Sequence, residues 1–311
     1  IFIGDIPLMQ EANHNKLDST ELAMLDAFAR VGPMSRIAMA SDYCINHDAT
    51  RAMVFLNRVN DLLGIGDLKR LYTSLALYPK FKAYSTRFLD TLDKLPVSPN
   101  EEAILALLDQ EFIPTRSAHT SDVMVCGFCG KAHRLMLPLH FIDGFLTELD
   151  VDVLYIRPVS GYFGEDSEEF FSRALHRIEA EMRAGGYKRL YCLGTSSGGV
   201  PAHLAAHALS GRGSLSIGGS LSDIRPELRR IWADPLVKSD FRGVNLIGEL
   251  NDADVAADKI LASELGTRTL MLRGIAKHSL FMDMIRADTM RPMLHWWLRE
   301  LEDDALPQGI R

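Results

Sequence analysis

The residue in this chain best placed for nucleophilic chemistry is Ser196, at the centre of Gly194-Thr195-Ser196-Ser197-Gly198. A serine hydroxyl attacks a carbonyl poorly until the backbone presents it on a sharp turn and a neighbouring base takes its proton. Glycines on both sides remove the side chains that would crowd such a turn. The same composition also closes ordinary loops, so the flanks decide between the two readings. Arg189 to Leu193 is a β-favouring apolar run before the turn. Gly199-Val200-Pro201-Ala202-His203-Leu204-Ala205-Ala206 is a small-residue helix pattern after it, with proline in the first turn, where no N–H is missed. Strand, tight turn and helix therefore stand in the order an exposed nucleophilic serine requires.

A base and an acid must follow. Of the 10 histidines, His278 lies in Gly274-Ile275-Ala276-Lys277-His278-Ser279, a loop leaving the last strand candidate and entering the final helix. Acidic residues cluster in Gly248-Glu249-Leu250-Asn251-Asp252-Ala253-Asp254, just after another strand candidate. Asp254 is the preferred partner for the imidazole and Asp252 the alternative, while capping of the next helix is the competing role for either.

These groups are useful only if the fold gathers them. From residue 122 the chain alternates short strands with helices. The strands are Val123 to Phe128, Val151 to Ile156, Arg189 to Leu193, Ser214 to Ile217, Val244 to Ile247 and Thr269 to Leu272. The helices are Phe141 to Leu149, Ser167 to Ala184, Ala202 to Leu209, Val255 to Leu265 and Leu280 to Leu301, long enough for crossovers between parallel strands. The pattern predicts an α/β domain, a mostly parallel sheet covered by helices on both faces. Ser196, the two aspartates and His278 each follow a strand, so all fall at the carboxyl edge, where α/β sheets carry their sites.

Residues 1 to about 118 read differently, with helical periodicity and no convincing strand. Thr20 to Val31, with Leu22, Leu25, Phe28 and Ala29 on one face, and Ala49 to Leu63, with Met53, Leu56, Val59, Leu62 and Leu63, are expected core helices. Leu71 to Phe81 and Ala83 to Leu92 are further candidates, whose aromatic residues Tyr72, Tyr78, Phe81, Tyr84 and Phe88 suit packing more than binding. Another helix is expected to begin at Ser98-Pro99-Asn100-Glu101, capped by the serine. The expected division is an all-helical N-terminal region, 1–118, whose role as lid or accessory domain is open, and a catalytic domain, 119–311.

Residues 120 to 305 resemble an α/β-hydrolase core. Gly194 to Gly198 matches the nucleophile elbow of that superfamily, and the Ser, Asp, His chain order agrees with it. The acidic segment departs from the commoner form by placing Asn251 where an aspartate often stands. The resemblance implies that Ser196 attacks, His278 shuttles the proton and an aspartate holds the imidazole. It also implies an oxyanion hole, formed by the amide of Ser197 and a second amide from the loop after the first core strand. That second donor would be Gly130 or Lys131, with Cys129 as alternative. Tyr162 and Trp232 are candidate substrate contacts, and Phe163, Ile224, Leu228, Ile231, Leu236 and Phe241 suit either an acyl pocket or packing. The expected activity is hydrolysis of a carboxylic ester or related acyl bond through an acyl-enzyme. A non-catalytic binding or scaffold protein of the same fold is the alternative.

Composition narrows the field further. The chain has 311 residues, 47% of them hydrophobic, and a net charge of −7, with no basic stripe suited to nucleic acid. No apolar run reaches the ~18 residues of a membrane span. Cys126-Gly127-Phe128-Cys129 has redox-motif spacing, but Cys126 continues an apolar strand instead of opening a helix, which disfavours a thiol redox role. His133 and His140 lack the acidic neighbours of a metal site. No cofactor or metal is expected, the partner is a small-molecule acyl substrate, and homo-oligomerisation is left open. Four cysteines in a chain this long fit a reducing cytoplasm better than a disulfide scaffold.

Overall fold

A computed structural model describes residues 17–28, 30–158, 167–219, 242–300 and 305–311. The chain divides into two compact units, one reaching to Asp93 and one spanning Lys94–Arg311. The first is helical, with α1 (Ser19–Phe28), α2 (Pro33–Asn46), α3 (Ala49–Leu62), α4 (Ile65–Leu75) and α5 (Pro79–Leu92). Asp48 caps α3 by accepting from the Arg51 amide. Tyr72, Phe81 and Phe88 are buried, and Tyr72 lies 4.3 Å from Phe88 between ring centres, so these aromatic residues pack as core.

Among its described residues the second unit holds a sheet of seven strands in the order β1-β3-β2-β4-β5-β6-β7. These are β1 (Phe112–Thr115), β2 (Val123–Phe128), β3 (Asp152–Ile156), β4 (Arg189–Thr195), β5 (Gly213–Ile217), β6 (Arg242–Gly248) and β7 (Arg268–Leu272). All neighbours are parallel except β1, which runs antiparallel to β3. The strand at Phe112–Thr115 lies inside the stretch expected to be helical throughout. Its Pro114 suppresses the strand signal, yet β1 is an edge strand, where a missing N–H is tolerated.

Before the strands comes α6 (Glu101–Ala106), between them run α7 (Leu139–Thr147), α8 (Ser167–Gly185), α9 (Gly199–Ala208) and α10 (Asp252–Leu265), and after them come α11 (Phe281–Arg286) and α12 (Met290–Leu298). Every residue of β2, β3 and β5 is buried, so both faces of the sheet are covered. On one face Met124, Cys126, Phe128, Leu190 and Cys192 pack with Phe170 and Ile178 of α8 and Val200 and Leu204 of α9. The alternate side chains point to the other face, where Tyr191 meets Trp297 of α12 edge-on at 5.5 Å. The expected helix from Leu280 to Leu301 is instead α11 and α12, separated at Asp288, whose φ of 54° breaks the helical path.

Ser98 does not cap α6, whose N-cap is Asn100. Its hydroxyl instead accepts from the Asn100 amide at 2.9 Å and donates to Asp143 at 2.5 Å. Asp143, wholly buried in α7, also accepts from Thr115 at 2.7 Å, Asn100 at 3.0 Å and Tyr155 at 3.0 Å. Those donors replace the water a buried carboxylate loses, and they tie the 98–100 segment and β1 to the core.

Candidate active site

The strand order reverses beside β2: β3 lies on one side of it and β4 on the other. The carboxyl ends of β2 and β4 thus flank a switch point, the usual position of a crevice in such sheets. Phe128 and Gly194 are register partners there, so the loop after β2 and the turn after β4 emerge side by side.

At that turn Thr195 is still extended, Ser196 has φ of 51°, and a short 3-10 turn, Ser196–Gly198, leads into α9. A left-handed non-glycine residue costs roughly 1–2 kcal/mol and persists only where its surroundings enforce it. Here they do. A Cβ on Gly194 would run into the Gly198 carbonyl, and one on Gly198 into the Phe128 carbonyl. The turn is therefore compressed to a degree that only glycines at these positions allow. Ser196 is half-buried, while Ser197 is buried.

His278 lies beyond β7 and is half-buried. Its Nδ1 is 2.9 Å from Oδ1 and 3.2 Å from Oδ2 of Asp254. An ionised carboxylate only accepts, so Nδ1 carries a proton, and in the neutral ring Nε2 holds the lone pair. Asp254 is 5% exposed, in the first turn of α10, whereas Asp252 at the start of that helix is exposed to solvent. The 273–278 loop is held against the end of β6. Leu250 donates its amide to the Ile275 carbonyl at 2.9 Å, and Gly274 donates to Glu249 at 2.8 Å. A Cβ on Gly248 would sit 2.6 Å from the Ile275 carbonyl oxygen.

The register carries this pair toward the serine. Thr195 on β4 partners Ile217 on β5, so Ser196 and Gly218 leave neighbouring strand ends. Gly218, with φ of 56°, lies directly against His278.

The loop after β2 approaches Ser196 through Gly130, where a Cβ would lie 3.1 Å from the Thr195 carbonyl oxygen and 3.3 Å from Ser196 Cβ. Two of the three amides considered as the second oxyanion donor are committed elsewhere. Cys129 donates to the Ile156 carbonyl and Gly130 to the Arg134 carbonyl, both at 3.0 Å. Gly130 thus serves close approach. Tyr162 and Trp232, with Phe163, Ile224, Leu228, Ile231, Leu236 and Phe241, lie outside the described residues.

Three contributors were not legible as site residues. Gly218 makes room for the imidazole. Arg157, just after β3, donates Nε to the His133 carbonyl at 3.0 Å and so braces the loop that carries Gly130. Asn251 donates to the Asp254 carboxylate at 3.0 Å. A positive charge directly after one strand and an amide three residues after another are the signals that would have marked the last two.

Cys126 does not stand at a helix start. It lies within β2, wholly buried, opposite Cys192 of β4, and burial raises its thiol well above the usual range. A shallow cleft of about 140 Å³ at the opposite, amino edge of the sheet is lined by Thr120, Asp122, Asp150 and Arg189, away from all of these groups. Among the described residues no helix is long and apolar enough to cross a membrane.

No family model and no curated protein matches the chain. Solved structures do. It is similar to a dienelactone hydrolase from Anabaena variabilis at 15% identity, over 61% of this chain and 92% of that one, with a TM-score of 0.46. A predicted CIB-like hydrolase from Thermoplasma acidophilum matches at 14% identity, over 61% and 93%, with a TM-score of 0.45. A hormone-sensitive lipase from a metagenome library matches at 10% identity, over 61% and 82%, also at 0.45. The single antiparallel edge strand, the reversal beside β2 and the compressed turn from β4 into α9 give the Lys94–Arg311 unit the α/β-hydrolase fold.

Proposed function

We propose that this protein is a serine hydrolase that cleaves a carboxylic ester or related acyl bond through an acyl-enzyme. The observation that carries this reading is the Asp254–His278 contact at the sheet edge where Ser196 sits in left-handed conformation.

In this reading Ser196 Oγ attacks the acyl carbon as its proton passes to His278 Nε2. Asp254 stabilises the imidazolium so formed without itself taking a proton. The negative charge that develops on the carbonyl oxygen is met by the amide of Ser197 and a second amide from the loop after β2, which cost no reorganisation because the backbone already fixes them. Collapse of the tetrahedral species expels the alkoxide, which receives the imidazolium proton. Water then repeats the sequence on the acyl-enzyme, with His278 as base, and frees the acid and Ser196. The four cysteines, all buried and unbridged, favour the reducing cytoplasm as the place of action.

The experiment is hydrolysis of short-chain nitrophenyl esters by the purified chain and by Ser196→Ala. Turnover lost in the variant supports the proposal. No turnover by the unaltered chain, on these esters or on thioester and lactone analogues, supports a binding protein built on the same fold.

A further inference from the structure

Asn251 touches Asp254 twice. Its side-chain oxygen accepts from the Asp254 amide at 3.2 Å, which makes it the N-cap of α10, and its Nδ2 donates to Asp254 Oδ2 at 3.0 Å. A cap needs only the first of these bonds. The second fixes the rotation of the carboxylate about its Cβ–Cγ bond. Oδ2 is held by the amide, and Oδ1 is left as the nearer acceptor for the ring, 2.9 Å against 3.2 Å. The amide is neutral, so it orients the carboxylate without adding charge beside the imidazole.

The geometry points to Asn251 as a positioning residue for the proposed hydrolysis: its amide N–H locks the Asp254 carboxylate, and through it the His278 ring, in the reactive orientation. This rests on the triad reading above. A carboxylate free to turn would hold the imidazole in a family of orientations, few of which direct Nε2 at Ser196, and misplacement of that kind lowers turnover while leaving substrate binding intact.

Two variants separate this role from capping, because aspartate and serine both cap helices well. Asn251→Asp keeps the cap oxygen and replaces the donor with a negative charge. Asn251→Ser keeps a capping hydroxyl but ends where the amide carbon stood. A positioning role gives kcat lower by about 10-fold with KM unchanged in both, a Tm little changed in Asn251→Ser, and in Asn251→Asp, where two carboxylates face each other and lower the Tm, an acidic limb of kcat/KM moved up by about one pH unit, since the added charge favours imidazolium. Wild-type kcat and pH profile in both variants would overturn it.

The ring titration of His278, followed by NMR, tests the same coupling without turnover. The titration should move upward in Asn251→Asp whether or not an ester is cleaved, and an unmoved titration would refute the coupling. An inert unaltered chain would refute the hydrolase reading separately.

Discussion

Gly218 supplies the space in which His278 stands: a Cβ at that position would lie 3.1 Å from the ring's Cε1 and 2.9 Å from the His278 carbonyl oxygen. The φ of 56° adds a second reason for glycine there. Gly218→Ala is therefore expected to displace the imidazole and lower kcat by about 100-fold, as misplacements near 1 Å do. Steady-state kinetics beside a melting curve checks this. A variant with wild-type kcat would mean that the ring has room to spare.

The two aspartates should part company. Asp254→Asn keeps the shape but removes the charge that stabilises the imidazolium, and kcat should fall by about 10³ to 10⁴-fold. Asp252→Asn, on an exposed carboxylate in the first turn of α10, should change kcat by less than about 2-fold and cost only a few tenths of a kcal/mol in helix-dipole stabilisation. Parallel assays of the two variants give the comparison directly.

A methyl group at position 130 should be felt at the serine. In Gly130→Ala the new Cβ would stand 3.1 Å from the Thr195 carbonyl oxygen, so the loop must retreat by a few tenths of an ångström. The expected result is kcat reduced about 10-fold with KM little changed. Because Gly130 donates its own amide to Arg134, the loss would come from displacement of the loop against Ser196.

Stability should depend on pH through a histidine that takes no part in the chemistry. His203, buried in α9, has Nδ1 2.5 Å from Ser214 Oγ and Nε2 2.7 Å from Asn245 Oδ1, and burial lowers its pKa from 6.5 to about 4. The unfolded chain takes up a proton near 6.5 and the folded chain does not until about 4. Stability from this group is thus complete above 6.5 and falls as the pH drops toward 4, by about 3 kcal/mol in all. Asp258, raised from 3.8 by burial, acts in the opposite sense as pH rises from 3.8. The quantity to read is the difference between the unaltered chain and His203→Gln in denaturant midpoints across that range. A difference independent of pH would contradict the assignment.

The cysteines offer a test of the redox alternative. Burial pushes the Cys44 thiol up to about 12 and Cys126 well above its ordinary value, and all four side chains are buried. No thiol should react with a disulfide reagent until the protein unfolds. Rapid modification of Cys126 in the native protein would revive the dithiol reading.

Much of this site was legible because its logic is local. The elbow announces itself through Gly194, Ser196 and Gly198, whose types are dictated by a turn of five residues, and the apolar runs of β2 to β6 are buried on both faces and so need no alternation. The antiparallel β1 was hidden because Pro114 argues against a strand unless its edge position is known. The helix expected over 280–301 was drawn too long because it runs through Pro292, which a helix tolerates in its first turn and which therefore marks the start of α12 after the break at Asp288. Ser98 carried a capping signature, yet its hydroxyl accepts from the Asn100 amide and donates to the buried Asp143, 45 residues on, a partner outside any local window. The role of Asn251 depends on a carboxylate one helical turn away and a ring from another loop, which no single window of sequence brings together. Its type at that position was visible, but its partner was not.

The central claim is that Ser196 is the nucleophile and that His278 activates it. Intact-mass analysis after exposure to a fluorophosphonate tests it most directly. The account predicts one adduct per chain, mapped by peptide sequencing to Ser196, abolished in Ser196→Ala and formed far more slowly in His278→Ala. A chain that stays unlabelled, or one labelled at another residue and equally fast without His278, would contradict it.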